Sequence, residues 1–340
     1  MKNSCFALLF FLYFLSCTNQ KIDYGYFDLS KSLSLMNGDT IDRFDNKQIF
    51  DITVRDSVLF VSFYNSDTCI GVINISEKKT VNAFGIKGNG PSDLLFANFI
   101  LTTDHSINPY IQDSNHAKML KIIASSENQY QLEKLIDYPS EIFSTSSLNY
   151  TDHFIVGRKI GTEEGDIFIF NRTEGNINYV NLHPEIDIDP IHKSYFLASV
   201  VGFNEKKGRI IAGMYFLDMF HVLNLNGKII KTITFSNNSI PQINKKVFDL
   251  SNGFSGFFQV FITDGYCYLL RKTESIYENK TTKSCILLQI NWDGEIINSY
   301  AMPETVKRFC VDSSNKKLYV VTNEFDNLVE FDSIVAYEID

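Results

Sequence analysis

From Lys21 onward, apolar residues gather in short runs rich in Ile, Val, Thr, Phe and Tyr, and polar turns separate the runs. No apolar period of a helix lasts beyond two turns, so the pattern predicts strands along almost the whole chain. Two turns stand out. Asn226-Gly227 and Asp293-Gly294 each lead into a β-branched run, and these dipeptides are the strongest short-range hairpin signals. Weaker turns of the same kind fall at residues 76–79, 125–128 and 173–176. Successive turns lie about 50 residues apart, which is the length of a propeller blade of about four strands. A second series of strand runs, ending at Tyr64, Ser114, Arg158, Tyr215, Arg271 and Thr322, keeps the same spacing and gives six blades. The predicted blades cover residues 48–84, 96–137, 142–182, 195–235, 254–301 and 306–338. The longest interval between turns is assigned to a polar insert at 236–253 and a loop at 273–283.

The sixth blade ends one strand short, which would leave a bare sheet edge. Residues 26–35 have no other assignment and are expected to close the ring by pairing with residues 328–339. The fold class is therefore all-β, a six-bladed β-propeller whose ring is closed by an N-terminal strand completing the last blade. One domain is expected over residues 17–340, with 17–24 as a short tether.

The first residues follow a different pattern. A basic start, Met1-Lys2-Asn3, precedes an almost wholly apolar stretch over residues 4–16, then Leu15-Ser16-Cys17 and a polar Thr18-Asn19-Gln20-Lys21. The apolar stretch is too short to span a bilayer as a helix and has the length of a signal-peptide core. It resembles a bacterial lipoprotein signal: residues 1–16 would be removed and Cys17 lipidated. Phe14 departs from that pattern, where leucine is usual. Acyl chains on Cys17 would hold the protein at a membrane of the bacterial cell envelope, with the outer membrane, periplasmic or surface side, as the expected location.

Charge and cysteine usage narrow the partners. A net charge of -9 argues against a nucleic-acid partner, which rewards clustered Lys and Arg. No run of like charges stands out, and a monomer is expected. Of the later cysteines, Cys69, Cys267, Cys285 and Cys310, none forms a Cys-x-x-Cys or Cys/His cluster, so no metal is expected. Cys267 and Cys285 lie in neighbouring strand runs and could face each other across a hairpin, either as a disulfide or as buried thiols.

The most glycine-rich stretch is Phe84-Gly85-Ile86-Lys87-Gly88-Asn89-Gly90-Pro91-Ser92-Asp93. A phosphate-binding loop would need Lys and then Ser or Thr after its last glycine. Here Pro91 follows, the lysine comes early, and Asp93 takes the place of the third dinucleotide-fingerprint glycine. The stretch reads as a tight crossing between blades one and two, and no cofactor is expected. With the lipoprotein signal and the six blades, Phe84-Gly85-Ile86-Lys87-Gly88-Asn89-Gly90-Pro91 resembles the six-bladed, TolB-like propeller lipoproteins of Bacteroides-type bacteria (the BF3164-like group). Members of that group often continue Gly-Glu-Phe, where this chain has Ser92-Asp93-Leu94. The resemblance implies fold and location; it carries no settled activity.

In propellers, ligand sites usually open on the face shared by the blade-to-blade crossings and the loops between second and third strands. That face is expected to carry Lys87, Asn89, Asp93, Tyr64, His116, Arg158, Tyr215, Arg271 and Asn323, with Asn65, Asp113, Asp218 and Lys272 beside them. Such a ring of aromatic, amide and charged groups could bind a glycan, a peptide or an envelope protein: aromatic faces stack while polar edges orient. No Gly-x-Ser-x-Gly elbow or His-Glu-x-x-His motif appears, and no catalytic set is assigned. A membrane-anchored binding module is the first reading. A propeller lyase or hydrolase using channel-facing His, Arg or Asp is the alternative, with His116 and His153 as the pair that could approach the same face.

Overall fold

The computed structural model describes residues 23–27, 29, 32–35, 37–90, 93–105, 108–113, 116–126, 129–137, 139, 142, 145–159, 166–183, 197–235, 253–277, 280–303, 306–326 and 329–339. Among them, six sheets follow one another along the chain as blades. They span residues 49–86, 98–137, 145–180, 199–234, 253–302 and 306–338, close to the predicted blades. The first strand of each blade lies against the first strand of the next. The last of these, Val306–Asp312, lies against Ile49–Arg55 of blade one, so the ring is closed.

Strand alternation builds the core. In the third strand of blade four, Met219 and Leu223 pack toward blade three, whereas Phe220 and Val222 pack toward blade five. Successive side chains of a strand point to opposite sheet faces, so strands buried on both faces read as near-continuous apolar runs.

An N-terminal strand completes the last blade, but it is not residues 26–35. Strand β3 (Asp39–Asp45) pairs antiparallel with Val329–Glu338 as the fourth strand of blade six. The preceding segment runs along the rim instead. Strand β1 (Asp23–Tyr26) adds in parallel to the outer edge of blade four, and β2 (Leu33–Ser34) adds in parallel to blade five. The N-terminal segment therefore covers two sheet edges before filling a third. The expected loop at 273–283 is also overturned: Tyr266–Tyr277 and Lys280–Asn291 continue as one long hairpin, paired as far as Tyr277 with Lys280. Its β-branched and aromatic content, Thr273, Ile276, Tyr277, Thr281 and Thr282, suits a strand. The insert at 236–253 lies outside the described residues except for Gly253, which opens a strand. Residues 1–22 also lie outside them.

The outer hairpins share a device that hydrophobic pattern does not show. Asn74, Asn171, Asn224 and Asn291 end the third strands of blades one, three, four and five. Each side-chain oxygen accepts two backbone N–H bonds from the turn that follows. Asparagine closing its own turn in this way is a local substitute for backbone pairing. Gly227 and Gly294, at φ 76° and 80°, supply the left-handed residue of the two hairpins with the strongest signal.

Polar residues of the inner strands join blades. The first strand of a blade has no partner strand on its channel side, and its buried amides need acceptors. Asp51 accepts from the Phe99 amide at 2.8 Å, joining blades one and two. Asn149 donates to the Val201 carbonyl at 2.8 Å and accepts from the Phe203 amide at 3.0 Å, joining three and four. Gln259 bonds the Phe309 carbonyl and amide at 3.1 and 3.0 Å, joining five and six. Between blades six and one, Arg308 of the inner strand donates to the Phe50 carbonyl at 2.8 Å, and Asp332, from the third strand of blade six, accepts from the Ile49 amide at 2.6 Å.

All four described cysteines are buried thiols. Cys267 and Cys285 do not face each other: Cys267 pairs with Ile290, and Cys285 with Lys272. Cys267 packs toward blade four and Cys285 toward blade six.

Candidate functional site

The upper face is the one where blade crossings and the hairpins between second and third strands open. Its best-developed cluster lies at blade one. Phe50 begins the inner strand, Tyr64 sits in the hairpin after Val58–Phe63, and Phe96 ends the crossing to blade two. Their ring centroids lie 5.6 to 6.4 Å apart, with planes tilted 31° to 49°. Tyr64 is 48% exposed, while Phe50 and Phe96 are half-buried. The Lys87 ammonium donates to the Tyr64 carbonyl at 2.5 Å and lies 5.5 Å from the Tyr64 ring and 5.8 Å from the Phe96 ring. On the far side, the Arg308 guanidinium lies 5.8 Å from the Phe50 ring. Cations over aromatic faces are held by the ring quadrupole.

The glycine-rich crossing explains its own glycines. Asp93 turns inward and accepts from the Gly90 amide at 2.7 Å. A Cβ on Gly88 or Gly90 would lie 2.3 or 2.7 Å from the Asp93 carboxylate. Backbone bonds between Gly88 and Leu94, and between Leu94 and Ile86, zip the two arms together. Asp93 is thus part of the loop frame, while Asn89 and Lys87 are exposed on it.

The other expected residues fall into separate groups along the rim. His116 Nδ1 lies 2.7 Å from Asp113 Oδ2, which also accepts from the Leu95 amide at 3.2 Å. Asp113 is fully buried, and its Oδ1 has no partner among the described residues. Arg158 lies with its guanidinium 5.5 Å from the Tyr215 ring, and burial lowers its pKa. Tyr215 in turn stacks on Phe258 at 5.6 Å with planes 8° apart. Arg271 holds Asp218 with two bonds of 2.7 Å, the fork geometry that suits guanidinium to carboxylate. Asn323 and Lys307 both donate to Asp332, at 3.1 and 2.7 Å. The structure brings Tyr64 and Lys87 together, and Arg158 with Tyr215; it leaves His116, Arg271 and Asn323 in pairs of their own.

His153 does not join His116. It sits in the turn between the first two strands of blade three, on the lower face, with Nδ1 2.6 Å from Glu205 of the corresponding turn in blade four. Turns between first and second strands open opposite to the crossings, so the two histidines are on opposite faces.

His105 crosses the central channel at its lower end. A cavity of about 20 Å³ is bordered by Asp51, Thr53, Arg55, Thr102, His105 and Gln259 among others, room for about one water. His105 comes from the connection after the first strand of blade two and reaches across to the Ile262 carbonyl of blade five at 2.9 Å. Arg55 is bonded to Thr53, Thr102 and the Val54 carbonyl. Burial pushes the Asp51 carboxyl up to about 6 against the opposing Arg308 charge. Burial, aided by Arg55, pulls His105 down to about 4.

Sequence reasoning missed Phe50, Phe96, Phe258, Lys307, Arg308 and Asp332. The three phenylalanines read as strand core: Phe50 lies in an inner strand, Phe96 just before one and Phe258 at the bulge within another. Among the described residues, no cluster of three or more His, Cys, Asp or Glu has the arrangement to hold a metal, and no helix is long and apolar enough to cross a membrane.

Over residues 34–314 the chain matches the family described as TolB-like 6-blade propeller-like. Among solved structures, it is similar to a member of the DUF4221 family from Bacteroides vulgatus. The identity there is 14%, covering 90% of this chain and 97% of the other, with a TM-score of 0.56. A putative exported protein from Bacteroides fragilis is similar at 12% identity, covering 94% and 100%, with a TM-score of 0.54. At these identities the likeness establishes the fold alone. No curated protein matches the chain.

Proposed function

The chain belongs to the TolB-like six-blade propeller family, and from that premise we propose that it is a binding module of the bacterial cell envelope, monomeric and lipid-anchored through Cys17, as in the lipoprotein group it resembles. Its ligand would be a glycan, a peptide or an envelope protein, taken on the upper face. The observation that carries the reading is where exposed aromatic surface lies. His105 crosses the lower end of the channel beside a cavity of about 20 Å³, whereas the upper face presents an exposed Tyr64 among two further rings and a lysine. Ligand sites join apolar or aromatic surface to a few placed polar groups.

The exported-protein likeness supports the location. So does the route of the chain: β1 begins at Asp23, a few residues past Cys17, and runs parallel to Ile229–Thr234 from the lower face upward. A tether there would turn the lower face toward the membrane and the upper face away from it.

The test has two arms. Cys17→Ala should move the protein from the membrane fraction to the soluble fraction; unchanged fractionation would remove the anchor. The purified mature chain, screened against glycan, peptide and envelope-protein libraries, should retain a ligand that Tyr64→Ala releases and His153→Ala does not. Failure to retain anything across all three libraries would sink the binding reading.

A second reading, hydrolase or lyase, draws on one observation. Asp113 fixes His116 through Nδ1, which orients an imidazole for acid–base work. It predicts that His116→Gln abolishes turnover of whatever substrate is found; full turnover by that variant ends it.

A further inference from the structure

We propose that the cup formed by Phe50, Tyr64, Phe96 and Lys87 binds an oligosaccharide containing uronic acid; this rests on reading the upper face as a binding surface and names its ligand class. Three features of the cup select that chemistry.

The first is ring geometry. The three rings come from three separate chain segments and are tilted by 31° to 49°, so they present differently turned faces side by side rather than one flat wall. The C–H face of a pyranose lies well against such rings, and Tyr64 adds a hydroxyl for orientation.

Charge is the second. The chain is acidic, at -9, yet the cup is flanked by cations. Lys87 stands over Tyr64 and Phe96, and Arg308 beside Phe50. The nearby acids are largely spent elsewhere: Asp93 on the Gly90 amide, Asp332 on Lys307, Asn323 and the Ile49 amide. Asp67 is exposed in the same hairpin as Tyr64. The Lys87 ammonium has three donors, and one is bonded, to the Tyr64 carbonyl, among the described residues.

Spacing is the third. In a uronic acid the carboxylate is carried directly on the ring, so a sugar stacked on Tyr64 would bring its acid toward an ammonium 5.5 Å from the ring centroid. An acidic peptide offers the charge without a ring to stack. Peptide recognition also commonly uses a free strand edge or a helix groove, whereas hairpin, crossing and inner-strand ends form this cup.

The experiment is calorimetric titration of the purified mature chain with hexagalacturonate, with its methyl ester and with hexaglutamate. The free acid should bind. The ester and the peptide should each bind at least about tenfold more weakly, because one lacks charge and the other lacks a stacking ring. Tyr64→Ala and Lys87→Gln should each weaken binding by about tenfold or more while melting at the wild-type temperature, as expected for exposed side chains. His153→Ala, on the opposite face, should bind as wild type. Equal binding of acid and ester, equal binding of hexaglutamate, or undiminished binding by both cup variants would overturn the proposal. So would no binding of hexagalacturonate. If a different ligand were then retained from the wider libraries and released by Tyr64→Ala, the binding-module reading would stand without this ligand class.

Discussion

The Nε2 atom of His105 lies 2.9 Å from the carbonyl oxygen of Ile262, joining the second blade to the fifth beneath the central channel. These blades stand opposite each other in a ring of six. The same atom lies 3.1 Å from the Thr102 carbonyl. Both neighbours are acceptors, so Nε2 carries the proton and donates to them, and the ring packs edge-on to Phe261.

His105→Ala should therefore lower stability at pH 7.5 by about 1–3 kcal/mol, from a lost hydrogen bond and lost packing. The loss should shrink at acid pH. Burial holds His105 at about 4 against its ordinary 6.5. Its contribution is complete above pH 6.5 and is lost as pH falls toward 4, because the unfolded chain takes up a proton that the folded one refuses. His221, buried beside His183 and lowered to about 3, adds to the same slope in both proteins. Urea melts at pH 7.5 and pH 5 would show the narrowing; a constant gap between wild type and variant would refute it.

Asp51 works in the other direction. Its carboxyl is raised from 3.8 to about 6 in the fold, by burial. The folded chain binds a proton over that interval which the unfolded chain has released, so this contribution is complete below pH 3.8 and is lost as pH rises through 6. Asp51→Asn keeps an acceptor for the Phe99 amide and removes the titration. The variant should gain on wild type between pH 4 and pH 8, by up to roughly 3 kcal/mol. A pH-independent difference in melting temperature would exclude this role for Asp51.

The N-terminal segment makes a graded prediction. Removing residues 21–35 strips β1 and β2 from the rims of blades four and five and exposes Phe235, which Phe27 meets edge-on at 6.3 Å. Each of those blades keeps its four antiparallel strands, so the protein should fold and melt at a lower temperature. Removing residues 36–45 takes β3 and leaves blade six with three strands. That edge would be bare along Val329–Glu338, and cooperative unfolding should be lost. Circular dichroism melts of the two deletions separate the cases; equal effects would mean that β3 has no special part in closure.

Blade number and blade limits were legible because strand alternation and turn chemistry are local. Asn226-Gly227 and Asp293-Gly294 mark hairpins whatever surrounds them. Ring closure was legible only in outline. That an N-terminal strand must fill blade six follows from a count, but choosing β3 over residues 26–35 depends on pairing across some 290 residues of chain, which no local pattern encodes. The candidate site was half legible. Tyr64 and Lys87 sit in polar turns and stand out, whereas Phe50 and Phe96 border inner strands and are indistinguishable from core until the blades are assembled. His116 and His153 looked equivalent as isolated histidines, and only their places on a second-to-third and a first-to-second strand turn put them on opposite faces.

One position tests how tightly neighbouring blades are fitted where the upper face is built. Gly256, in the inner strand of blade five, lies so close to blade four that an added Cβ would sit 1.7 Å from the Tyr215 carbonyl oxygen and 2.9 Å from that of Met214. Those atoms are backbone and cannot turn aside as a side chain would. Gly256→Ala should cost more than about 3 kcal/mol, through overpacking that only a shift of two blades could relieve. The displaced Tyr215 would also lose its stack on Phe258 and its place under Arg158, so the near-ultraviolet circular dichroism of the folded fraction should change. Gly265, in a turn of the same blade, is the matched control, because a Cβ added there would meet nothing within 4 Å. Gly265→Ala should stay within about 0.5 kcal/mol of wild type. Comparable denaturation midpoints for the two variants would show that blades four and five are not in the close backbone contact described.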